Sequence, residues 1–227
     1  MCLKRKKTFC GMALLFAGAA FQANAAGSAD VRYEAVARGF IEKFLMAHPE
    51  TATGLGDHRY DSLTSDYSAK GEQTDRKLYQ DTLAALEAVP VAELSPDDAV
   101  DSAILQNQLH ANLFDIEVMH VSQREPLYYN PSQGIYLLLA RDYAPLKQRL
   151  EAVRARLLAF PAIVAAAKAN LKNPPRVFTE TAIAQNKGAI ALVQEELDEY
   201  LKREPAMRAR LAQARKMAAA ALKDYGH

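Results

Sequence analysis

Residues able to carry chemistry are few and scattered in this sequence. Five histidines, His48, His58, His110, His120 and His227, are the obvious metal-ligand types, and no two pair at ligand spacing. There is no His-Glu-x-x-His helix, Gly-x-Ser-x-Gly elbow, phosphate loop or dinucleotide fingerprint. Glu117-x-x-His120 sets a carboxylate and an imidazole on one helix face, with His110 seven residues before Glu117 on roughly that face. A di-iron bundle would need a second Glu-x-x-His and two more glutamates on facing helices. No second copy exists, so chance on a polar face is the better reading. No catalytic residue and no metal ligand is assigned to this chain.

Three short stretches remain as candidate ligand contacts. Gly56-Asp57-His58-Arg59-Tyr60-Asp61 concentrates ionisable groups in a loop. Asp57 and His58 could set a carboxylate beside an imidazole and tune its pKa. The alternative is a loop tied down by its own Asp and His side chains, with glycine supplying unusual dihedrals. Tyr128 and Asn130, in Tyr128-Tyr129-Asn130-Pro131, could line a groove or form a packed turn. Glu180 and Gln185 sit in a helix opening at Thr179-Glu180-Thr181. A substrate contact there competes with a dipole role for Glu180, and close helix approach accounts for Gly188.

The elements that position these residues read as helix after helix. Ser28 caps a first helix to about Ala47, with Val36, Phe40 and Phe44 on one side, and His48-Pro49 stops it. Residues 50–73 lack a sustained period and read as loop. A second helix fits 74–88. Ser95-Pro96-Asp97-Asp98 starts a third: serine caps, proline takes the first turn, and acids meet the positive dipole end. It runs to about Val121 on a stripe of Leu105, Leu109, Leu113 and Ile116. A short apolar helix fits 132–141. Leu146, Leu150, Val153, Leu157, Phe160, Val164, Ala167 and Leu171 then form a heptad seam through Pro161. This predicts one long helix, kinked at Pro161, or two abutting ones. Further helices fit 177–201 and about 205–225. No stretch alternates like a half-buried strand. The fold class is therefore all-α, an antiparallel array of about seven helices with a long kinked helix around residues 145–172.

The first 25 residues set the compartment. Lys4, Arg5, Lys6 and Lys7 precede an apolar run from Phe9 to Phe21, and Ala23-Asn24-Ala25 is a cleavage signal. This is a secretory signal peptide cut after Ala25, with a run too short to span a bilayer. A retained anchor is the alternative. Lipidation is disfavoured because no lipobox precedes Cys10. The expected location is periplasmic or secreted. Both cysteines, Cys2 and Cys10, lie in the leader, so the mature chain has no thiol for disulfides, metal sites or nucleophilic attack. Cleavage takes four of the 28 basic residues and leaves 27 acidic ones, a net charge of about −3. Nothing points to nucleic acid. The densest basic group, Arg203, Arg208, Arg210, Arg215 and Lys216, interleaves with Ala and Leu as a solvated helix face.

Several pieces, in order, resemble the N-terminal half of the bacterial family called domain of unknown function 885. They are Phe44 to Pro49, Ala52-Thr53 leading into Gly56 to Asp61, Asp101-Ser102, Pro126 to Pro131, Arg141-Asp142-Tyr143-Ala144-Pro145, and Pro174 to Gln185. The resemblance implies a mostly helical, exported protein similar to zinc metallopeptidases, with a His-Glu…His metal site in the C-terminal half. This sequence ends before that half, so no ligand or base carries over. Zinc is expected only there, and this chain has no cofactor of its own. The expected role is a non-catalytic helical region that walls a substrate cleft. Its partners would be the catalytic half or a peptide-like substrate, with no nucleic acid and no membrane after signal cleavage. The Ala-rich helix running to the last residues fits a truncation of a longer protein. The alternative is a stand-alone periplasmic helical binding or scaffold protein.

Overall fold

The computed structural model describes residues 27–226. The expected leader with its cut after Ala25, and His227, lie outside them. The described residues form helices and turns without a strand. The first helix, α1 (Ser28–Ala47), ends where expected, because Pro49 cannot donate an amide to continue it. The same proline occupies the first turn of α2 (Pro49–Leu55) inside the stretch read as loop. Seven residues are too few for a hydrophobic period to be legible. Ser28 is the first helical residue rather than the cap. Instead Asp30 Oδ2 reaches back 3.0 Å to the Gly27 N–H, and Asp30 Oδ1 accepts from Ser95 N–H at 2.8 Å.

Next come α3 (Ala69–Glu87) and α4 (Pro96–Phe114), the latter extended by a π-turn, Asp115–Met119. Ser95 Oγ caps α4 through the Asp98 N–H, as the sequence predicts. His48 lies against Asp75 and Tyr79, while Gln80 meets Glu117 and Glu72 meets Ser122. These pairings run α3 antiparallel to both neighbours and leave α1 and α4 parallel. Phe40, Tyr79, Leu83, Leu86 and Leu109 are buried between the three helices.

A second unit repeats the arrangement. After α5 (Val121–Arg124) and α6 (Ser132–Ala140), α7 (Leu146–Asn170) runs unbroken through Pro161. The alternative of two abutting helices falls. Its predicted seam is buried from Leu146 to Ala167, while the last seam residue, Leu171, lies just past the helix end and is half-buried. The return stroke is α8 (Arg176–Ala191), a π-turn (Leu192–Glu196) and α9 (Leu197–Arg203), and α10 (Ala206–Tyr225) follows. Arg154 meets the Arg210 carbonyl and Lys168 meets Asp224, so α7 and α10 are parallel. Arg215 is not on a solvated face, as its basic cluster suggested. It donates to the Val193 and Gln194 carbonyls at 3.0 and 2.9 Å and pairs with Asp198. Those carbonyls belong to the π-turn, whose altered hydrogen-bond ladder leaves acceptors to satisfy. Gly188 is likewise not at a close helix approach, since a Cβ there would meet nothing within 4 Å.

Two buried arginines, both on α7, join the parts. Arg149 donates to the Leu138 and Leu139 carbonyls at 3.2 and 2.7 Å, closing the C-terminal end of α6. Arg156, only 1% exposed, donates to the carbonyls of Leu63 (3.0 Å), Gly134 (2.8 Å) and Pro49 (3.1 Å), and to Thr53 Oγ1 (2.7 Å). Burial lowers its guanidinium pKa from the ordinary arginine value, and Glu50 and Asp61 oppose that shift. Gly134 admits this packing, because a Cβ there would stand 2.8 Å from Glu50 Cγ and 3.1 Å from the guanidinium.

Replacing Arg156 by methionine strands several buried acceptors at once. Urea unfolding of Arg156→Met is expected to show a loss of about 3 kcal/mol or more. Lys147→Met, on the exposed side of α7, is expected to stay within about 0.5 kcal/mol of the parent.

Candidate functional site

The Gly56–Asp61 loop is built to hold itself. Gly56 takes φ of 90°, the left-handed conformation that ends α2. Asp57 accepts the Arg59 N–H at 3.1 Å and its guanidinium at 2.6 Å, and Arg59 continues to Glu42 at 2.8 Å. The Arg59 hydrogen bonds lower the Asp57 carboxyl below the usual aspartate value. His58 turns the other way. Its ring stacks on Tyr143 with centroids 3.4 Å apart, and Nδ1 lies 3.1 Å from Asp61 Oδ2. Asp61 also accepts the hydroxyls of Thr53 (2.7 Å) and Tyr143. Asp57 and His58 therefore do not pair with each other. The buried carboxylate is Asp61, which Thr53 links to Arg156.

Asn130 and Gln185, distant in sequence, are brought together, with Asn130 Nδ2 donating to Gln185 Oε1 at 3.2 Å. Asn130 Oδ1 also accepts the Ser132 N–H at the start of α6. Glu180 stands apart on an exposed turn, paired with Arg176 at 2.6 Å. Tyr128 packs edge-on against Tyr67 and Tyr129, the turn-like packing that competed with a groove. Its outer side, however, faces a cleft. Glu117 and His120 share no ligand site: Glu117 turns to Arg76 and Gln80, while His120 Nδ1 lies 3.1 Å from the carbonyl of Ile116 in its own helix.

That cleft is lined by His48, Glu72, Asp75, Tyr79 and Tyr128. It holds about 210 Å³ between the end of α1, the first turns of α3, the π-turn after α4, and α5. A second hollow of about 310 Å³ lies on the other side of His48, Asp75 and Tyr128, which line both. His48 follows the last residue of α1, where its ring packs on Phe44 at 4.4 Å. Its Nε2 lies 3.3 Å from Asp75 Oδ1 and 3.5 Å from the Tyr79 hydroxyl. Glu72 accepts the Ser122 hydroxyl and lies 3.5 Å from Arg76. Asp115 completes the lining of the first hollow and Asp66 that of the second. Burial first, then the Asp75 charge, raises the phenol pKa values of Tyr79 and Tyr128. The cleft is thus a negative, aromatic-floored surface suited to a cationic group.

Sequence reasoning found Tyr128 but missed His48, Glu72, Asp75 and Tyr79. A signal was present. Glu72, Asp75, Tyr79, Thr82 and Leu86 share one face of α3, so two acids continue a stripe that is otherwise buried. Among the described residues no group of three His, Asp or Glu side chains is disposed to hold a metal ion.

The chain belongs to the bacterial proteins of unknown function grouped as domain of unknown function 885, whose family profile matches residues 49–227. The chain is also similar to a solved structure from Shewanella oneidensis, described as a candidate lipoprotein of unknown function. The two are 25% identical, with a TM-score of 0.79 over 85% of this chain and 36% of that one. The chain thus spans about a third of that protein's length. No curated protein matches it. No helix among the described residues is long and apolar enough to cross a membrane.

Phenols partly or wholly shielded from water set an alkaline limit. Burial raises Tyr225 from 10.0 to about 12, with Tyr129 adding to the shift, and raises Tyr67, Tyr79, Tyr128 and Tyr143 as well. A raised folded pKa means that the native state holds its proton more tightly than the unfolded chain. That stability is complete below pH 10 and is lost as pH climbs through 12. Tyrosinate absorbance followed with pH should show a late-titrating class that merges with unfolding.

Proposed function

We propose that this chain is the helical, non-catalytic wall of a substrate cleft in an exported protein resembling zinc peptidases. The single observation carrying the proposal is the His48–Glu72–Asp75–Tyr128 cleft, an open negative concavity whose lining includes no complete metal site. Export is supported by the signal-like first 25 residues and by the lipoprotein description of the Shewanella relative. A peptide-like ligand fits the chemistry. Its ammonium group, or a Lys or Arg side chain, would meet Asp75 and Glu72, and an apolar neighbour would pack on Tyr128. The described donor set does not fit zinc, so metal-assisted hydrolysis would require residues outside it. That the relative is almost three times as long as its matched part is consistent with such residues lying elsewhere in family members.

The test uses residues 26–227, supplied with zinc, and two measurements. Elemental analysis with a peptidase assay should find no stoichiometric zinc and no hydrolysis. Calorimetric titration should show that short peptides with a free amino terminus bind more tightly than their acetylated forms. Asp75→Asn should weaken binding of the free-amine peptides by about tenfold, the loss of one charge-assisted contact. Zinc at one per chain with peptide cleavage would overturn the non-catalytic role. Equal binding of acetylated and free peptides would overturn the cleft assignment.

A further inference from the structure

α4 has two faces. The inner one, with Leu105, Leu109, Leu113 and Ile116, packs against α1 and α3. The outer one carries a second apolar line: Val100, Ile104, Asn107, Ala111, Phe114 and Val118, at steps of four, three, four, three and four. All six are exposed, with Val100 at 58%, Ile104 at 62%, Phe114 at 52% and Val118 at 57%. Alternating steps of four and three form the seam by which one helix receives another, and one polar residue within such a seam fixes register. A surface meeting only water has no use for this period, since scattered exposed apolar residues need no order.

The flanks decide the partner. With the seam residues at positions a and d, the neighbouring e and g positions are Asp101, Ala103, Gln108, His110, Asp115 and Glu117. Three are acidic and none is Lys or Arg. The sequence from Leu78 to Gln123 contains eight acidic residues and no Lys or Arg. Arg76 approaches Glu117 at 3.7 Å from α3, whereas Asp101 and Asp115 have no ion-pair partner among the described residues. Two copies of this face would repel, and an anionic membrane surface would repel it too.

We infer that the outer face of α4 is the seat of an amphipathic helix from a partner polypeptide that carries Lys or Arg beside its own apolar seam. The site is distinct from the peptide cleft proposed above, although Asp115 borders both.

The probe is a synthetic helical peptide of three heptads, with leucine at the seam and arginine at e and g. A second peptide has glutamate at e and g. Fluorescence anisotropy against residues 26–227 should show binding of the arginine peptide, weakened by salt, and at least about tenfold weaker binding of the glutamate peptide. Ile104→Asp should reduce arginine-peptide binding by about tenfold or more while circular dichroism stays unchanged. The triple change Asp101→Lys, Asp115→Lys and Glu117→Lys should invert the preference, an outcome that simple misfolding cannot produce. No binding, equal binding of both peptides, or sedimentation showing a dimer dispersed by Ile104→Asp would each overturn the assignment.

Discussion

The buried guanidinium of Arg156 ties α7 to α2, to the loop at Leu63 and to α6. Arg156 is a cation in the interior with no carboxylate in direct contact, so its charge is met by carbonyl dipoles and, through Thr53, by Asp61. The four acceptors lie in three parts of the chain: Pro49 and Thr53 in α2, the loop at Leu63, and Gly134 in α6. Burying an unpaired charge is prohibitive, and the fan of acceptors makes it tolerable. The arrangement therefore fixes where those elements must be. Moving α2, the Leu63 loop or α6 away from α7 would uncover Arg156, and Thr53 carries the link on to Asp61, which also meets His58 and Tyr143.

This dependence explains the outcome at the Gly56–Asp61 loop. Its ionisable residues read as chemistry because they are close in sequence. In three dimensions they are spent on one another and on Glu42, Thr53 and Tyr143. The cleft lined by His48, Glu72 and Asp75 has the opposite character. Glu72 is held by the Ser122 hydroxyl, but His48 keeps looser partners, 3.3 Å from Asp75 and 3.5 Å from Tyr79, and all three residues border open space. Tight mutual satisfaction marks architecture, while loosely paired charge around a concavity marks a place for something else.

The helices were legible where apolar periodicity ran long. The seam from Leu146 to Ala167 and the Ser95 cap of α4 emerged as the spacing dictates. The short α2 escaped because seven residues give no period to read. The π-turns escaped because one extra residue per turn alters no residue type. Of the candidate contacts, Tyr128 borders the cleft, and the association of Asn130 with Gln185 depends on how α8 packs, which no local pattern records. His48 was visible only as the residue before a proline. Its neighbour Asp75 lies 27 positions away, across an antiparallel crossing that sequence spacing does not encode.

The parallel pairing of α7 with α10 governs the order in which the second core can form. A chain made from its N-terminus has the apolar seam of α7 in place well before its partner exists. The contacts from Arg154 to Arg210 and from Lys168 to Asp224 each wait for 56 further residues. Until α10 arrives, Leu150, Leu157 and Phe160 lack part of their cover, so the arrival of α10 ends an interval in which the apolar seam of α7 is sticky. For a protein of this topology, the time spent incomplete is a hazard set by helix order rather than by the strength of any contact.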